Sequence, residues 1–381
     1  MPHKKKIAYV TGTRADFGLM TPVLHAIEAS RTLSLDLYAT GMHLMPEHGN
    51  TLRQVKRLFS SVKRIDAVYG EKEQGMAEFS AALLPRVVSA FGKKRPDFVL
   101  LLGDRAEMFV VALACLYLRI PTGHLHGGEK TETVDEVARH AITKMASLHF
   151  PATKESAQRI ARMGEEPSRI HVVGAPALDV ILNSRIPSER EVARYLNIKA
   201  GSDFVLLLMH PAQNSKRAGA EMREALAAVK DSGLPVVVLY PNADSGSSRI
   251  IAEIEKEKGN KNFRIFKSIP HEMFLALERE AAVWVGNSSA ALIESASFRT
   301  PVVNIGGRQQ GRLRGKNIID VPHNKNRIVA AIRRSLYDTR YKASLQKISN
   351  PWGDGRTGEK VRKALEHLDA PEKLLHKQIA Y

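Results

Sequence analysis

Short β-branched runs alternate with longer stretches of helical period along nearly the whole chain, and that alternation restricts the fold to parallel sheets covered by helices. Residues 7–11 predict the first strand; Met20, Val23, Leu24 and Ile27 then fall at helical spacing, and residues 33–40 predict the next strand. Further strands are predicted over 98–102, 122–125, 148–152 and 170–173, with helices over 106–118 and 134–146. Polar, Pro-containing sequence at 182–191 interrupts this series and sets a domain boundary there. A second series follows, with strands over 204–209, 236–240, 263–266, 283–285 and 302–305 and helices near 221–229, 271–277, 290–297 and 324–336. Residues 358–368 predict an amphipathic helix. A chain of 381 residues, 44% of them apolar, is long enough for two α/β domains, each with its own buried sheet.

In open parallel sheets, ligands bind beyond the carboxyl ends of the strands, where loops present free backbone N–H groups. The distinctive residues of this chain gather there. Gly12-Thr-Arg14-Ala-Asp16-Phe-Gly18 follows the first strand and Gly41-Met-His43 the second; Gly103-Asp104-Arg105 and His126-Gly-Gly-Glu129 follow the next two. In the second series the corresponding places hold His210-Pro, Pro241-Asn242, Gly286-Asn287-Ser288-Ser289 and Gly306-Gly307-Arg308. Gly, Asn, Ser and Asp also serve as ordinary turn and cap residues, so no single motif decides the matter. Two sets of strand ends carrying Arg, His and carboxylates predict two rims facing one cleft, with the ligand between them. Asn287-Ser288-Ser289 reads either as an anion cradle of hydroxyls and amides or as a helix N-cap. Arg14, Arg105, Arg308 and Arg312 read either as phosphate-binding charges or as solvated cations of a basic chain. His124-x-His126 with Glu129 reads either as a metal site or as a pair lining the cleft, because residues i and i+2 of a strand share a face.

Other features exclude chemistries. No Gly-x-x-x-x-Gly-Lys-Ser/Thr loop and no Gly-x-Gly-x-x-Gly fingerprint occurs, which removes support from P-loop NTPase and nicotinamide-dinucleotide readings; no Asp-x-Asp pair is present to hold a divalent metal on a nucleotide sugar. We therefore expect neither metal nor cofactor. The net charge of +17 favours anionic ligands and partners. No helix-turn-helix, RNP-like strand or Arg stripe interleaved with aromatics points to nucleic acid. No apolar run reaches the roughly 18 residues that span a bilayer, and Met1-Pro-His-Lys-Lys-Lys lacks a small-residue cleavage site. The expectation is a cytoplasmic protein without membrane contact. The single cysteine, Cys115, sits in an apolar helix and forms no internal disulfide.

At these motifs the chain resembles the hydrolysing UDP-N-acetylglucosamine 2-epimerases, which open sialic-acid and related nonulosonic-acid pathways. The resemblance runs through Val10-Thr-Gly-Thr-Arg-Ala-Asp-Phe-Gly18, Thr40-Gly-Met-His43, Gly49-Asn-Thr51, Gly103-Asp-Arg105, His126-Gly-Gly-Glu129, Arg139-His-Ala-Ile-Thr-Lys144, Tyr240-Pro-Asn242, Gly286-Asn-Ser-Ser289 and Gly307-Arg-Gln309, in order and over most of the chain. It implies a glycosyltransferase-B-like fold: Rossmann-like domains over 1–182 and 183–355, and a C-terminal helix in 356–381 crossing back onto the first. It also implies a reaction in which UDP leaves C1 by elimination to a glycal, after which water adds with inversion at C2. UDP-N-acetylglucosamine would give N-acetylmannosamine and UDP; the same reaction on UDP-2,4-diacetamido-2,4,6-trideoxyglucose would serve legionaminic-acid synthesis.

By resemblance, Asp104 and Asp135 match the catalytic acid/base carboxylates and His210 a histidine near the phosphates. His126 and Glu129 join the catalytic group. Arg14, Asn242, Ser288, Ser289, Glu294 and Arg308 match UDP contacts, with Glu294 on the ribose hydroxyls; Asp16, His43 and Arg105 are further candidate substrate contacts. Arg105 would lie beside Asp104 and favour its ionised form. His126 stands where several members have Glu, and His there resembles members acting on the diacetamido sugar. A homodimer or homotetramer is implied. A non-hydrolysing epimerase, a glycosyltransferase of the same fold and a non-catalytic basic nucleotide-sugar or nucleic-acid binding protein are the alternatives; retained carboxylates beside an anionic ligand speak against a mere binder.

Overall fold

The computed structural model describes residues 4–45, 51–69, 75–130, 134–212, 215–241 and 246–381. It divides into two compact units, residues 1–182 with 352–381, and residues 183–351.

In the first unit, β1 (Lys5–Thr11), β2 (Leu33–Ala39), β3 (Lys63–Arg64), β4 (Phe98–Leu102), β5 (Thr122–Leu125) and β6 (Leu148–Phe150) form one sheet in the order β3-β2-β1-β4-β5-β6. Every pairing is parallel; Ile7 lies opposite Phe98 and Leu102 opposite Leu125. Helices cover both faces, so β4 throughout and β1 from Ile7 to Val10 are buried and read as continuous apolar runs rather than alternating ones. The order reverses between β1 and β4, which opens a crevice at the carboxyl ends of those two strands.

The second unit repeats the plan with β7 (Val205–Leu208), β8 (Val236–Leu239), β9 (Phe263–Phe266), β10 (Val283–Gly286), β11 (Val302–Ile305) and β12 (Ile318–Val321), ordered β12-β11-β10-β7-β8-β9 and again all parallel. Read from its other end this is the same permutation, with its switch point between β7 and β10. Alternate residues divide between the two faces. Leu206, Leu208, Val237 and Trp284 pack with the helices Glu189–Leu196 and His271–Glu280, and Val205, Leu207, Val236 and Val283 with the helices Ala218–Lys230 and Lys325–Tyr337.

The helix Thr357–Glu366 and the short helix Pro371–Leu375 that follows it belong to the first unit: Val361, Leu365 and Leu374 join its core. Asp179 fixes the start of the longer helix, its carboxylate accepting from the N–H groups of Thr357 (2.8 Å) and Gly358 (2.7 Å). Lys377 then donates to the carbonyls of Lys144 (2.7 Å) and Ala146 (2.8 Å), at the end of the helix Val134–Met145, and pairs with the buried Glu165 at 2.6 Å.

Three expectations change. Residues 170–173 form no strand; they make only an isolated parallel bridge, Ile170 to His149. The short edge strands β3 and β12 escape the pattern because edge strands need no long apolar run. The helix expected near 290–297 is two pieces, Ser289–Ile293 and Ser295–Phe298, broken at Glu294, where the Ser295 hydroxyl turns back onto the Ala291 carbonyl and competes with the backbone ladder. No helix among the described residues is long and apolar enough to cross a membrane.

Candidate functional site

In the first unit, the loop after β1 is shaped by Asp16. Thr13 caps the helix Arg14–Glu28 in a capping box with Asp16. The Asp16 carboxylate also accepts from Tyr9 (3.0 Å), Thr11 (2.9 Å), the Gly12 N–H (3.3 Å), and the N–H and hydroxyl of Thr13 (2.7 Å each). Its own loop thus occupies the acceptor capacity that was expected to face a ligand. His43 is likewise turned inward: it is wholly buried, with Nε2 3.0 Å from the Thr11 hydroxyl and Nδ1 2.7 Å from the Thr51 hydroxyl, and burial lowers its pKa. Arg14 is exposed on the first helical turn.

The turn after β4 places Asp104 and Arg105 in different surroundings. Arg105 does not accompany Asp104; its Nε donates to Glu107 (3.3 Å) and its Nη2 to the Tyr69 hydroxyl (3.3 Å). Glu107 is fully buried, and its Oε1 has no hydrogen-bond partner among the described residues. A Cβ at position 12 would lie 2.1 Å from that oxygen, so a larger residue there would displace the Glu107 side chain. The cation that does pair with Asp104 is Arg139, buried on the helix Val134–Met145, which also donates to the Glu129 carbonyl at 3.1 Å. Burial raises the Asp104 carboxyl above its usual range; Arg139 opposes the rise, and the charges of Asp135 and Glu129 add to it. Asp135 itself is exposed on the first turn of that helix.

After β5 the chain turns at His126, a non-glycine residue at φ 58°, and His126 Nδ1 pairs with the buried Glu129 carboxylate. The left-handed turn ends the strand alternation that would have put His124 and His126 on one face. His124 instead faces inward, Nε2 donating to the Gly103 carbonyl at 2.7 Å and Nδ1 3.1 Å from the Thr143 hydroxyl; burial holds its pKa down to about 3, so it stays neutral and braces the Asp104 turn. Among the described residues no group of three or more His, Cys, Asp or Glu side chains is placed to hold a metal ion.

In the second unit the ends of β7 and β10 are joined by one amide. Asn287 Oδ1 accepts from the His210 N–H (2.7 Å) and its Nδ2 donates to the His210 carbonyl (2.9 Å). The Asn287 carbonyl accepts from Arg308 Nη1 (3.1 Å) and Gln309 Nε2 (2.9 Å), so the loop after β11 is tied to the same point. Gly286 has φ 145°, and a Cβ there would meet the Leu208 carbonyl oxygen at 1.9 Å, which makes glycine obligatory. Burial, with help from the Arg308 charge, lowers the His210 pKa to about 3, leaving a neutral imidazole. Ser288 occupies the N-cap position of the next helix, but its hydroxyl makes no capping hydrogen bond, and Ser289 is half-buried beside it. The N-cap reading of this motif loses its hydroxyl, and a five-residue helix contributes little dipole, so any anion cradle here rests on side chains and loop amides. Glu294 is buried at the break between the two short helices. Asn242 lies outside the described residues.

The sequence pattern does not single out Glu107, gives Arg139 no role, and presents Asn287 only as part of the Asn-Ser-Ser cradle or cap and Gln309 only as part of Gly307-Arg-Gln309. Polar residues immediately after apolar strands were the available signal. Glu278, a buried acid in the helix His271–Glu280, gave no signal at all, since it occupies an ordinary helical position.

Comparison with known proteins identifies the family and the fold. The family model described as UDP-N-acetylglucosamine 2-epimerase matches residues 25–366. The UDP-N,N'-diacetylbacillosamine 2-epimerase (hydrolyzing) of Legionella pneumophila is 37% identical over 380 residues, covering 99% of this chain and 100% of that protein. The GDP/UDP-N,N'-diacetylbacillosamine 2-epimerase (hydrolyzing) of Campylobacter jejuni is 33% identical, covering 83% and 84%. The crystal structure of UDP-GlcNAc 2-epimerase from Neisseria meningitidis bound to UDP-GlcNAc superposes with a TM-score of 0.78 at 18% identity, over 94% of this chain and 99% of that one, which establishes the glycosyltransferase-B-like fold. With a family match over most of its length and a full-length relative above 30% identity, this chain belongs to the hydrolysing UDP-N-acetylglucosamine 2-epimerase family.

Proposed function

We propose that this enzyme converts UDP-2,4-diacetamido-2,4,6-trideoxyglucose and water to UDP and the free 2-epimeric diacetamido sugar. The observation that carries the catalytic reading is the cluster at the ends of β4 and β5, where Asp104 and the His126–Glu129 pair gather around one buried cation, Arg139. The choice of sugar is supported by the activities named for the Legionella and Campylobacter relatives.

The chemistry assigns the roles. A base removes the C2 proton while the C1–O bond to UDP breaks, the electron pair of the C2–H bond forming the C1–C2 double bond and that of C1–O leaving with UDP. Water then adds its oxygen to C1, and an acid returns a proton to C2 on the opposite face. Asp104 suits proton abstraction because burial has made it more basic than an exposed aspartate, and Arg139 keeps its charged form available. His126, or Asp135 on the first turn of the following helix, serves as the second acid/base group. In the second unit Ser288, Ser289 and Arg308 hold the diphosphate, neutral His210 donates a hydrogen bond to it, and Glu294 accepts the ribose hydroxyls.

UDP-N-acetylglucosamine is the second reading, favoured by the description of the matching family model. Proton NMR of each substrate with pure enzyme in D2O decides between them: the true substrate yields free 2-epimeric sugar with deuterium at C2. If both sugar nucleotides survive prolonged incubation, the enzymatic reading fails.

A further inference from the structure

Two acids are brought close together inside the second unit by Thr300, whose hydroxyl donates to the Glu278 carbonyl (2.7 Å) and whose N–H donates to the carbonyl of Ser295 (3.1 Å), the residue after Glu294. Glu278, near the end of the helix His271–Glu280, is 0% exposed, and Glu294, at the break between the helices Ser289–Ile293 and Ser295–Phe298, is 7% exposed. As carboxylates, neither oxygen of Glu278 nor Oε2 of Glu294 finds a hydrogen-bond partner among the described residues.

Among the described residues no cation relieves the pair. Arg279, next along the helix, pairs with Glu280 and donates to the Pro187 carbonyl. Arg299, which ends the helix Ser295–Phe298, donates to Gln346 at 2.9 Å. The packed helix Glu189–Leu196 carries Glu189, Arg190, Glu191 and Arg194, and the helix Ser289–Ile293 carries no ionisable group. Among the described residues, the charged group that acts on Glu278 is Glu294. Two buried carboxylates side by side without a cation cannot both ionise near neutral pH, so one of them carries a proton.

We propose that Glu278 is a positioning residue for nucleotide binding: it keeps the proton of the pair and donates it to Glu294, holding Glu294 as the charged acceptor of the UDP ribose hydroxyls. The inference rests on the reading of Glu294 as the ribose contact. Its physical content is that a neutral neighbour supplies the hydrogen bond that a buried carboxylate otherwise lacks, leaving the other lone pairs for the ligand. The direction of the titration agrees: Glu278 is raised well above the ordinary range by burial and by the Glu294 charge, and burial raises Glu294 to about 7, with the hydrogen bond from Glu278 opposing that rise. A proton on Glu294 competes with the ribose donor, so UDP affinity increases as pH rises through about 7.

Calorimetric titration of UDP into the full chain between pH 5.5 and 9 tests this with three variants. Glu278→Leu keeps the volume and removes the donor; Glu294 then becomes harder to ionise, the midpoint of the affinity profile moves to higher pH, and affinity at pH 7 falls by about five- to tenfold. Glu278→Gln retains a donor and returns the midpoint to that of the unmodified protein. Unchanged affinity and an unchanged midpoint in Glu278→Leu would overturn the proposal, as would a Glu278→Gln profile matching that of Glu278→Leu. Glu294→Gln tests the underlying reading separately: it flattens the pH profile and weakens UDP while leaving 2',3'-dideoxy-UDP unaffected. Full UDP affinity in that variant removes Glu294 from the ribose and the proposal with it.

Discussion

The crevice between β1 and β4 and the crevice between β7 and β10 stand at the same place in the same strand order, yet they are furnished in opposite ways. In the first unit the strand ends carry charge: Asp104 on Arg139, His126 on Glu129, and Arg105 on Glu107. In the second, a neutral amide, Asn287, ties the two strand ends together, and the acidic pair Glu278 and Glu294 lies back from the loop, buried and short of donors. The difference follows from what each crevice is proposed to meet. A diphosphate brings its own negative charge and needs a rigid neutral frame with cations at its rim. Proton abstraction needs a carboxylate whose basicity is set by burial and countercharge.

The comparison breaks most sharply at Asp104. Asp104→Asn should lower kcat by about 10^3-fold, the scale of losing a general base, while UDP affinity measured by calorimetry stays within about twofold, because no phosphate contact is removed; unimpaired turnover would end the assignment. Next is Arg139→Met, which leaves Asp104 buried beside Asp135 and Glu129 with no cation and should cost about 3–5 kcal/mol of stability. Where the variant folds, Asp104 is pushed still higher, so the acid limb of the kcat/KM profile moves to higher pH; an unmoved limb would separate Asp104 from catalysis. In the second unit, Asn287→Ala removes two hydrogen bonds to the His210 backbone and should weaken UDP by about 1–3 kcal/mol, with the loss in KM and Kd rather than in the pH profile. A shifted pH limb there would erase the contrast between the crevices.

The smallest effect concerns neither crevice. Glu165 is buried against His149, Lys144 and Lys377, and these hydrogen bonds outweigh burial and lower its pKa to about 2. A depressed folded-state pKa stabilises above the unfolded value near 4.5, and that contribution is lost as pH falls from there toward 2. Glu165→Gln should lower Tm at pH 7 by roughly 3–6 °C and flatten the acid limb of the stability profile in thermal scans, leaving kcat unchanged.

Much of this was legible beforehand for one physical reason: strands buried on both faces must be continuous apolar runs, and polar residues immediately after them mark strand ends. That logic located 98–102 and the Gly103–Asp104 turn, and it located Asn287. It misjudged what each side chain does there, because pairing is a matter of three dimensions. Adjacency in sequence put Arg105 on Asp104, whereas the cation comes from Arg139, 35 residues away. Asp16 and His43 looked like ligand contacts because they are polar residues at strand ends, but loops also need internal acceptors to satisfy their own N–H and O–H groups. Glu278 was invisible because a helical pattern says which face a residue lies on, and not that a buried acid there finds no cation.

The helix Thr357–Glu366 carries a consequence for biosynthesis. Residues 183–351 can complete their sheet as soon as they leave the ribosome, since every strand of the second unit comes from one unbroken segment. The first unit, although synthesised earlier, is left with Asp179 lacking the N–H groups of Thr357 and Gly358 and with part of its core uncovered until residues 357–366 arrive. Translation order and folding order are therefore inverted: the unit made first is finished last, and in the interval an exposed apolar groove must be kept from self-association.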